Sequence, residues 1–391
     1  MEIIFWISII IIVYTYLGYG FILYLMLLIK RMMKGKRPEI FYEWDDLPTC
    51  TLLIAAYNEE NFISEKIRNT LSLKYPEGKL ELIFITDGST DRTPEILKEY
   101  PQIKLLHQNE RKGKVAAIHR AMEHIKTEII IFTDANTLLN KDALINISRH
   151  YADEKIGAVA GEKRVHSDEK ADAGSAGEGF YWKYESLLKK WDSELYSTIG
   201  AAGELFSVRM SLYSGVSDDT ILDDFMISML IAAKGYRIVY EPEAFAIETA
   251  SENISEELKR KVRIAAGGIQ SIVRLKVLLN FFRYRLLSFQ YISHRVLRWT
   301  ITPFLLILIL LLNVLILFQS KEITFSILLA GQVIFYLLAY SGLILEKGEL
   351  RLKIFFIPYY FCVMNYAVIL GIKRYLWKQQ SAVWEKAERK I

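Results

Sequence analysis

The chain has 391 residues, of which 52% are hydrophobic, and its long apolar runs are confined to the two ends. This distribution excludes an ordinary soluble enzyme and predicts one soluble domain held between membrane segments. The formal net charge of +4 says little as a total, and we expect no nucleic-acid partner.

The amino-terminal segment, residues 1–30, predicts a transmembrane helix that is retained as an anchor. Residues 1–29 carry a single charge, Glu2, and no cleavage pattern follows them. Five Lys or Arg residues between positions 30 and 37 place the amino terminus outside and the following chain in the cytoplasm, by the positive-inside rule. We therefore expect a multi-pass protein of the plasma (inner) membrane, with residues 31–47 as a linker to the domain.

Residues 48–254 predict an α/β domain with a mostly parallel sheet flanked by helices. Strand patterns at 50–56, 80–86, 103–107 and 128–133 alternate with helical ones, which favours successive right-handed βαβ units. No GxGxxG follows the first strand and no GxxxxGK[ST] occurs, which argues against dinucleotide-dependent dehydrogenases and P-loop enzymes. Cys50 and Cys362 are the only cysteines and lack metal-ligand spacing, so we expect two free thiols.

The fourth predicted strand ends in two oxygen-bearing side chains. Its apolar run, Ile129 to Phe132, is typical of a strand buried on both faces, and ligands of such sheets bind at the carboxyl ends of the strands. Asp134 and Asn136 follow two residues apart, so both point the same way and offer oxygen donors to a hydrated divalent cation that carries a diphosphate. The pattern predicts a nucleotide-sugar site, and the alternative is an ordinary strand-end turn.

The second half of the domain has weaker patterns. Strands are predicted at 157–160, 205–209 and 236–240, and helices at 180–195 and 225–234. Residues 163–179 are rich in Gly, Ala and acidic residues and predict a mobile loop that closes over substrate.

The carboxyl-terminal third returns to the membrane. Residues 255–298 predict basic amphipathic helices in the interface, with packing on the soluble domain as the alternative. Residues 299–372 predict membrane segments and residues 373–391 a basic tail. Three spans would place this tail outside, whereas its charge favours the cytoplasm. We therefore expect 354–372, with Pro358, to be re-entrant or interfacial, or a basic segment before Trp299 to insert instead.

Five motifs occur in order: Tyr57-Asn58-Glu59, Asp87-Gly-Ser-Thr-Asp91, Lys112-Gly-Lys114, Asp134-Ala-Asn136 and Leu222-Asp-Asp-Phe225. With them the chain resembles the family 2 glycosyltransferases of the GT-A fold. Within that family it is similar to the membrane-bound branch that includes cellulose, hyaluronan and poly-N-acetylglucosamine synthases.

The resemblance implies an inverting enzyme that moves a sugar from a nucleoside diphosphate, usually UDP, to a growing glycan in surface-polysaccharide synthesis. Mg²⁺ or Mn²⁺ is the implied cofactor, and a nucleotide-sugar donor, a glycan or lipid-linked acceptor and the lipid bilayer are the implied partners. Two alternatives stay open: a single-transfer enzyme that glycosylates a lipid-linked acceptor, and an inactive nucleotide-binding scaffold of an export complex.

The resemblance also implies a role for each motif. The implied donor-binding residues are Tyr57, Glu59, Asp87, Lys112 and Lys114; the metal ligands are Asp134 and Asn136; the catalytic pair is Asp223 and Asp224. Asp224 is expected to act as general base, with a helix N-cap as the alternative. Asp91 is expected to cap a helix.

Two departures from the family pattern matter. Asn136 stands where the metal motif usually has Asp, which removes one negative charge. The polymerising members carry a Gln-x-x-Arg-Trp motif where this chain reads Arg260-Lys-Val-Arg-Ile264, so only Arg263 matches. Arg263 can still meet a diphosphate, but the missing Gln and Trp argue against processive synthesis.

Overall fold

The computed structural model describes residues 1–35, 42–166, 173–249, 254–320, 322–347 and 352–378. The strands are β1 Cys50–Ala56, β2 Leu80–Asp87, β3 Lys104–Gln108, β4 Ile129–Asp134, β5 Thr137–Leu139, β6 Ile156–His166, β7 Leu205–Arg209 and β8 Arg237–Thr249. The helices are α1 Glu2–Val13, α2 Tyr19–Lys34, α3 Ile63–Leu71, α4 Thr93–Lys98, α5 Lys114–Met122, α6 Ala143–Ser148, α7 Ala173–Leu195, α8 Asp223–Ala233, α9 Ile254–Arg274, α10 Phe281–Tyr284, α11 Leu286–Tyr291, α12 Leu297–Trp299, α13 Thr302–Gln319, α14 Ile323–Lys347 and α15 Lys353–Leu376.

The strands of the described residues form one mixed sheet in the order β3-β2-β1-β4-β7-β6-β8-β5. The first four are mutually parallel, as the βαβ pattern predicts, whereas β7 runs antiparallel to β4 and β6 antiparallel to β7. The order of the strands changes direction at β1, because β2 and β3 lie on one side of β1 and β4 lies on the other. In open α/β sheets this reversal marks the crevice in which ligands bind.

Apolar side chains cover both faces of the sheet. In β1, Leu53 and Ala55 belong to the core layer on one face, and Leu52 and Ile54 to the layer on the other. The alternation follows from the two-residue period of a strand, and all seven residues of β1 are buried because helices pack on both faces. The buried strands hold their polar ends at the edge of the crevice.

The second half of the domain differs from the sequence prediction. The predicted loop 163–179 is wrong where it is described, because β6 continues to His166 and α7 begins at Ala173; residues 167–172 lie outside the described residues. Strand β8 extends to Thr249 and pairs with β5, which the sequence pattern missed. These pairings join segments about 110 residues apart, for which a local pattern carries little information.

Within the described residues, four helices are long and apolar enough to cross a membrane: Glu2–Met33, Thr302–Gln319, Ile323–Leu345 and Lys353–Leu376. The first consists of α1 and α2 joined by a π-helical turn at Tyr14–Gly18. Helix α2 ends at Lys34, four residues beyond the predicted boundary at residue 30. Phe5 near its start packs against Phe325 of α14 with ring centroids 5.4 Å apart. The amino-terminal and carboxyl-terminal apolar helices therefore form one bundle.

Polar contacts attach this bundle to the domain. The Tyr19 hydroxyl of α2 donates to the Asp192 carboxylate of α7, and His294 Nδ1 lies 2.6 Å from the other carboxylate oxygen. Arg31 makes two hydrogen bonds of 2.6 Å to the Glu194 carboxylate. Because these groups lie on three separate helices, the amino-terminal helix is held at a defined position on α7.

One face of helix α9 packs on the soluble domain. This packing is the alternative that the sequence left open to a purely interfacial position. A Cβ at Gly267 would lie 2.7 Å from Leu222 Cγ, so the helix backbone contacts the segment before α8. Helix α15 packs along α9, and a Cβ at Gly371 would lie 2.4 Å from Ala265 Cβ. Since α15 is one continuous helix through Pro358, the expectation of a re-entrant segment is wrong, and the interfacial position stays a prediction.

The packing of α15 predicts that the tail, residues 379–391, lies on the same side of the membrane as the domain. Helix α9 is fixed to the domain, and the carboxyl end of α15 contacts α9 at Gly371. A cysteine added after Ile391 should therefore react with an impermeant maleimide only after the cells are permeabilised. Glu77→Cys, on the exposed surface of the domain, serves as the matched control. Labelling of the tail in intact cells in which the Glu77→Cys control stays unlabelled would contradict the prediction.

Candidate active site

The carboxyl end of β2 organises the loop that precedes α5. The Asp87 carboxylate accepts hydrogen bonds from the backbone N–H groups of Lys112 at 3.0 Å and Gly113 at 2.6 Å. Gly113 has a φ of 98°, a conformation that glycine adopts without strain. Asp87, expected to contact the base, thus also fixes the loop that places Lys114 at the first position of α5.

Lys114 lies between the predicted metal ligand and the predicted catalytic pair. Its Nζ is 2.9 Å from Asp134 Oδ1 and 3.8 Å from Asp223 Oδ2. Burial alone would lower the pKa of Lys114, but Asp134, Asp223 and Asp224 together raise that pKa above its ordinary value. The ammonium is therefore the counter-ion of three carboxylates, of which Asp134 lies about 90 residues before the adjacent Asp223 and Asp224 in the sequence.

The predicted catalytic pair, Asp223 and Asp224, lies at the start of α8. Asp224 Oδ1 accepts a hydrogen bond of 2.8 Å from the N–H of Phe225, and a Cβ at Gly203 would lie 3.3 Å from Asp224 Oδ2. The N-cap position is Leu222, so the N-cap alternative for Asp224 is wrong. Burial and the Asp223 carboxylate raise the pKa of Asp224 to about 7, against the opposing effect of Lys114. Asp224 is thus a carboxyl group that exchanges its proton near neutral pH.

The segment after β1 forms the other wall of the crevice. The Arg111 guanidinium lies 3.9 Å from the ring centroid of Tyr57, so one face of this ring is already stacked. Glu59 is buried, and its N–H donates to Thr93 Oγ1 at 2.9 Å. Asp91 accepts the N–H of Thr93, the first residue of α4, at 3.0 Å, although the N-cap position itself is Arg92. These bonds fix the loops that follow β1 and β2 against each other.

Two predicted donor-binding residues, Lys112 and Arg263, have different surroundings. The Lys112 ammonium lies 2.9 Å from Glu110, and both side chains are mostly exposed. Arg263 lies on α9, one turn before Gly267, and is partly buried. Their roles toward a donor therefore stay predictions.

The oxygen donors fit a divalent cation that arrives with a diphosphate. The part of the chain that the structure describes contains no group of three or more His, Cys, Asp or Glu residues able to hold a metal ion by itself. Asp134 is instead 21% exposed and already pairs with the Lys114 ammonium, which shows that its carboxylate faces a position suited to a cation. Mg²⁺ commonly binds to one or two side-chain oxygens, with substrate phosphates and water as the remaining ligands.

A second ionic cluster, missed from the sequence, adjoins Asp224. Glu204 accepts hydrogen bonds from Lys163 Nζ at 2.7 Å and from an Arg260 nitrogen at 3.2 Å. Lys163 also contacts Glu248, so the cluster joins β6, β8 and α9. Lys163 and Arg260 hold the pKa of Glu204 well below its ordinary value despite burial. In the sequence, Arg260 stood out only as a departure from the Gln-x-x-Arg-Trp motif that the resemblance implies.

Comparisons with known proteins agree with this geometry. Residues 51–214 match the sequence profile of the family described as glycosyl transferase family 2. A poly-β-1,6-N-acetyl-D-glucosamine synthase of Staphylococcus aureus is 30% identical over 256 residues, which cover 62% of this chain and 60% of the relative. A β-monoglucosyldiacylglycerol synthase of Nostoc is 34% identical over 194 residues, or 46% of this chain and 40% of the relative. The chain thus spans about 60% of the first of these relatives.

Among solved structures, the mannosyltransferase PcManGT of Pyrobaculum calidifontis, in complex with GDP-mannose and Mn²⁺, superposes with a TM-score of 0.70. The match covers 96% of this chain and 100% of that one at 23% sequence identity. At this identity the likeness shows the fold, and the GT-A fold expected from the motifs is confirmed.

The contacts of Asp87 predict that Asp87→Ala frees the loop before α5. The backbone N–H groups of Lys112 and Gly113 lose their acceptor, which costs about 1–3 kcal/mol of unfolding free energy. We expect faster amide hydrogen exchange at residues 109–113 and weaker nucleotide binding. Glu110→Ala, which removes only the exposed partner of Lys112, should change neither. Unchanged exchange rates in Asp87→Ala would show that the loop is held by other contacts.

Proposed function

We propose that this chain is a family 2 glycosyltransferase that transfers a sugar from a nucleoside diphosphate to the hydroxyl group of a growing glycan in surface-polysaccharide synthesis. The observation that carries the proposal is that Lys114 lies close to both Asp134 and the Asp223-Asp224 pair, at the crevice where the strand order of the sheet changes direction. We further propose that the enzyme acts at the cytoplasmic face of the plasma (inner) membrane, which its candidate spans support.

The donor side of the crevice supplies charge and position. In the proposed complex the diphosphate, of UDP as the first candidate, lies beside Lys114, whose ammonium offsets negative charge. Asp134 and Asn136 would hold Mg²⁺ or Mn²⁺, which would stabilise the charge that develops on the leaving diphosphate. Tyr57, already stacked by Arg111, lines the slot for the base.

Asp224 supplies the base on the acceptor side. Its Oδ2 lies beside Gly203, where a Cβ would come within 3.3 Å of this oxygen, so a side chain at this position would crowd the proposed base. In the proposed step this oxygen takes the hydroxyl proton as the acceptor oxygen attacks the anomeric carbon and the bond to the diphosphate breaks. A single displacement of this kind inverts the configuration. A carboxyl group with a pKa of about 7 is well matched to this proton transfer.

A second candidate is a single transfer to a lipid-linked acceptor. It is favoured by the departures at residues 260–264, where Arg260 forms ion pairs with Glu204 and Glu248 and Ile264 replaces an aromatic residue. The match to an enzyme named for a glycosylated diacylglycerol points the same way. The third alternative, an inactive scaffold, is disfavoured because Asp134 and Asp224 are both present and face the same ammonium.

Product size separates the first two candidates. The full chain, purified in detergent or nanodiscs, is incubated with a panel of UDP- and GDP-sugars, with and without a lipid extract, and the products are sized. Long chains built from one sugar support polysaccharide synthesis, and products with one added sugar that appear only with lipid support the second candidate. Nucleotide binding without transfer to any acceptor or water would support the scaffold.

The first prediction from this mechanism concerns the metal site. Asp134→Ala should abolish transfer, because the carboxylate is lost and the diphosphate charge is left uncompensated. Asn136→Asp should stay active and require less Mn²⁺ for half-maximal rate, because it adds a negative charge to the site. Retention of most activity by Asp134→Ala, or in excess chelator, would show that the metal assignment is wrong.

The second prediction concerns the base. Asp224→Asn should fold and bind nucleotide but lose transfer by about two to four orders of magnitude, the usual contribution of general-base catalysis. Because only the ionised carboxylate accepts a proton, and its pKa is raised to about 7, kcat/KM of the wild type should rise as the pH increases through 7. Asp223→Asn removes the repelling charge, so its pH profile should shift to lower pH. Near-normal turnover of Asp224→Asn beside a folded, inactive Asp223→Asn would assign the base to Asp223.

A further inference from the structure

A lysine is buried beneath the turn that carries the two predicted metal ligands. Lys66 lies on α3, and its side chain is fully buried between Ile63 and Ile67, which pack on the sheet. Its Nζ donates to the backbone oxygen of Thr137 at 2.7 Å and to Thr133 Oγ1 at 3.2 Å. The two acceptors flank Asp134 and Asn136 on either side.

Further hydrogen bonds hold the same turn, among them one of 3.1 Å between Thr133 Oγ1 and Thr137 Oγ1. Thr137 Oγ1 donates to the backbone oxygen of Asp134 at 3.0 Å, and Thr133 Oγ1 donates to the backbone oxygen of Glu204 at 2.8 Å. Lys66 therefore lies at the centre of a set of bonds that fixes the path of residues 133–137. The same set connects this turn to Glu204, next to Gly203 on the acceptor side.

The packing of α3 on the sheet does not require a lysine at position 66. Ile63 and Ile67 already provide the apolar contacts of α3, and Asn69 ties the helix to the backbone of Leu139 with two hydrogen bonds of 2.8 Å. An ammonium in such a place is disfavoured by desolvation, and burial lowers the pKa of Lys66 to about 7, against the opposing effect of Asp134. A methionine would fill the same space without that penalty.

We propose that Lys66 is a positioning residue for the divalent-cation site: it holds the 133–137 turn from beneath, so that the oxygens of Asp134 and Asn136 face the donor crevice together. The inference rests on the proposed function, since it assumes that these two residues bind a cation. Lys66 acts through the turn and touches neither cation nor substrate.

The test measures metal binding without turnover, on the full chain in nanodiscs. Mn²⁺ is titrated in the presence of UDP, and in parallel GDP, and the free Mn²⁺ is followed by electron paramagnetic resonance. Lys66→Met should weaken Mn²⁺ binding by about 10-fold or more, the usual effect of losing a group that orients a ligand. Nucleotide binding by Lys66→Met in the absence of metal should equal that of the wild type. Its thermal unfolding midpoint should not fall below that of the control variant, Asn69→Ala.

Asn69→Ala is the matched control, because it removes bonds one turn along the same helix that do not reach the 133–137 turn. It should lower the unfolding midpoint and leave Mn²⁺ affinity unchanged. If Lys66→Met does not fold, Thr137→Val removes the bond to the Asp134 backbone and should weaken Mn²⁺ binding in the same way.

The outcomes distinguish the two proposals. A wild-type protein that binds neither Mn²⁺ nor nucleotide overturns the proposed function. A wild-type protein that binds both, beside a folded Lys66→Met with unchanged or tighter Mn²⁺ binding, overturns only the role of Lys66. Equal loss of Mn²⁺ affinity in Lys66→Met and Asn69→Ala also overturns that role, because it would reflect general loosening of α3.

Discussion

Negative charge is crowded at one edge of the sheet, and its compensation is the constraint on which the site depends. Three carboxylates are stabilised by different means: backbone N–H groups for Asp87, the Lys114 ammonium for Asp134, and the Lys163 and Arg260 cations for Glu204. At Asp224 burial and the Asp223 carboxylate raise the pKa instead, which favours the protonated carboxyl group. An unpaired buried charge would be far more costly than any of these arrangements. The cations therefore have to come from elements distant in the chain, and their pairing brings α5, β6 and α9 to the same crevice.

Helix α9 takes part in this compensation of charge through Arg260, and it also contacts the segment directly before α8. Gln270 of α9 accepts the N–H of Ile221 at 3.0 Å and donates to the backbone oxygen of Asp219 at 2.9 Å, and Arg274 lies 2.6 Å from the Asp219 carboxylate. These bonds fix the segment directly before the Asp223-Asp224 pair. The position of Asp224, the proposed base, is thus linked to a helix that also packs along α15, one of the candidate membrane spans.

The sequence predicts the parallel strands and their polar ends well and the second half of the domain poorly, for a physical reason. Strand β1, Asp87 and Asp134 were predictable because a buried parallel strand and its polar end are both encoded within a few residues. Lys66 carried a weaker signal, a cation on the face of α3 whose periodicity directs it toward the sheet. The β5–β8 pairing joins distant segments, so no local pattern reveals it. The helical start of α7 was hidden by a glycine-rich composition that favours a loop.

The same division limits how closely the function can be defined. The groups proposed to bind the diphosphate lie at strand ends, so they point to a class of donor. The proposed acceptor side comprises Gly203, Glu204 and α9, and the expected departure from the polymerising synthases lies there. Arg260, which occupies the position of their Gln, is held by Glu204 and Glu248. In the proposed single transfer, the Arg260 side chain is committed to two buried carboxylates and is not available to line a path for a long glycan.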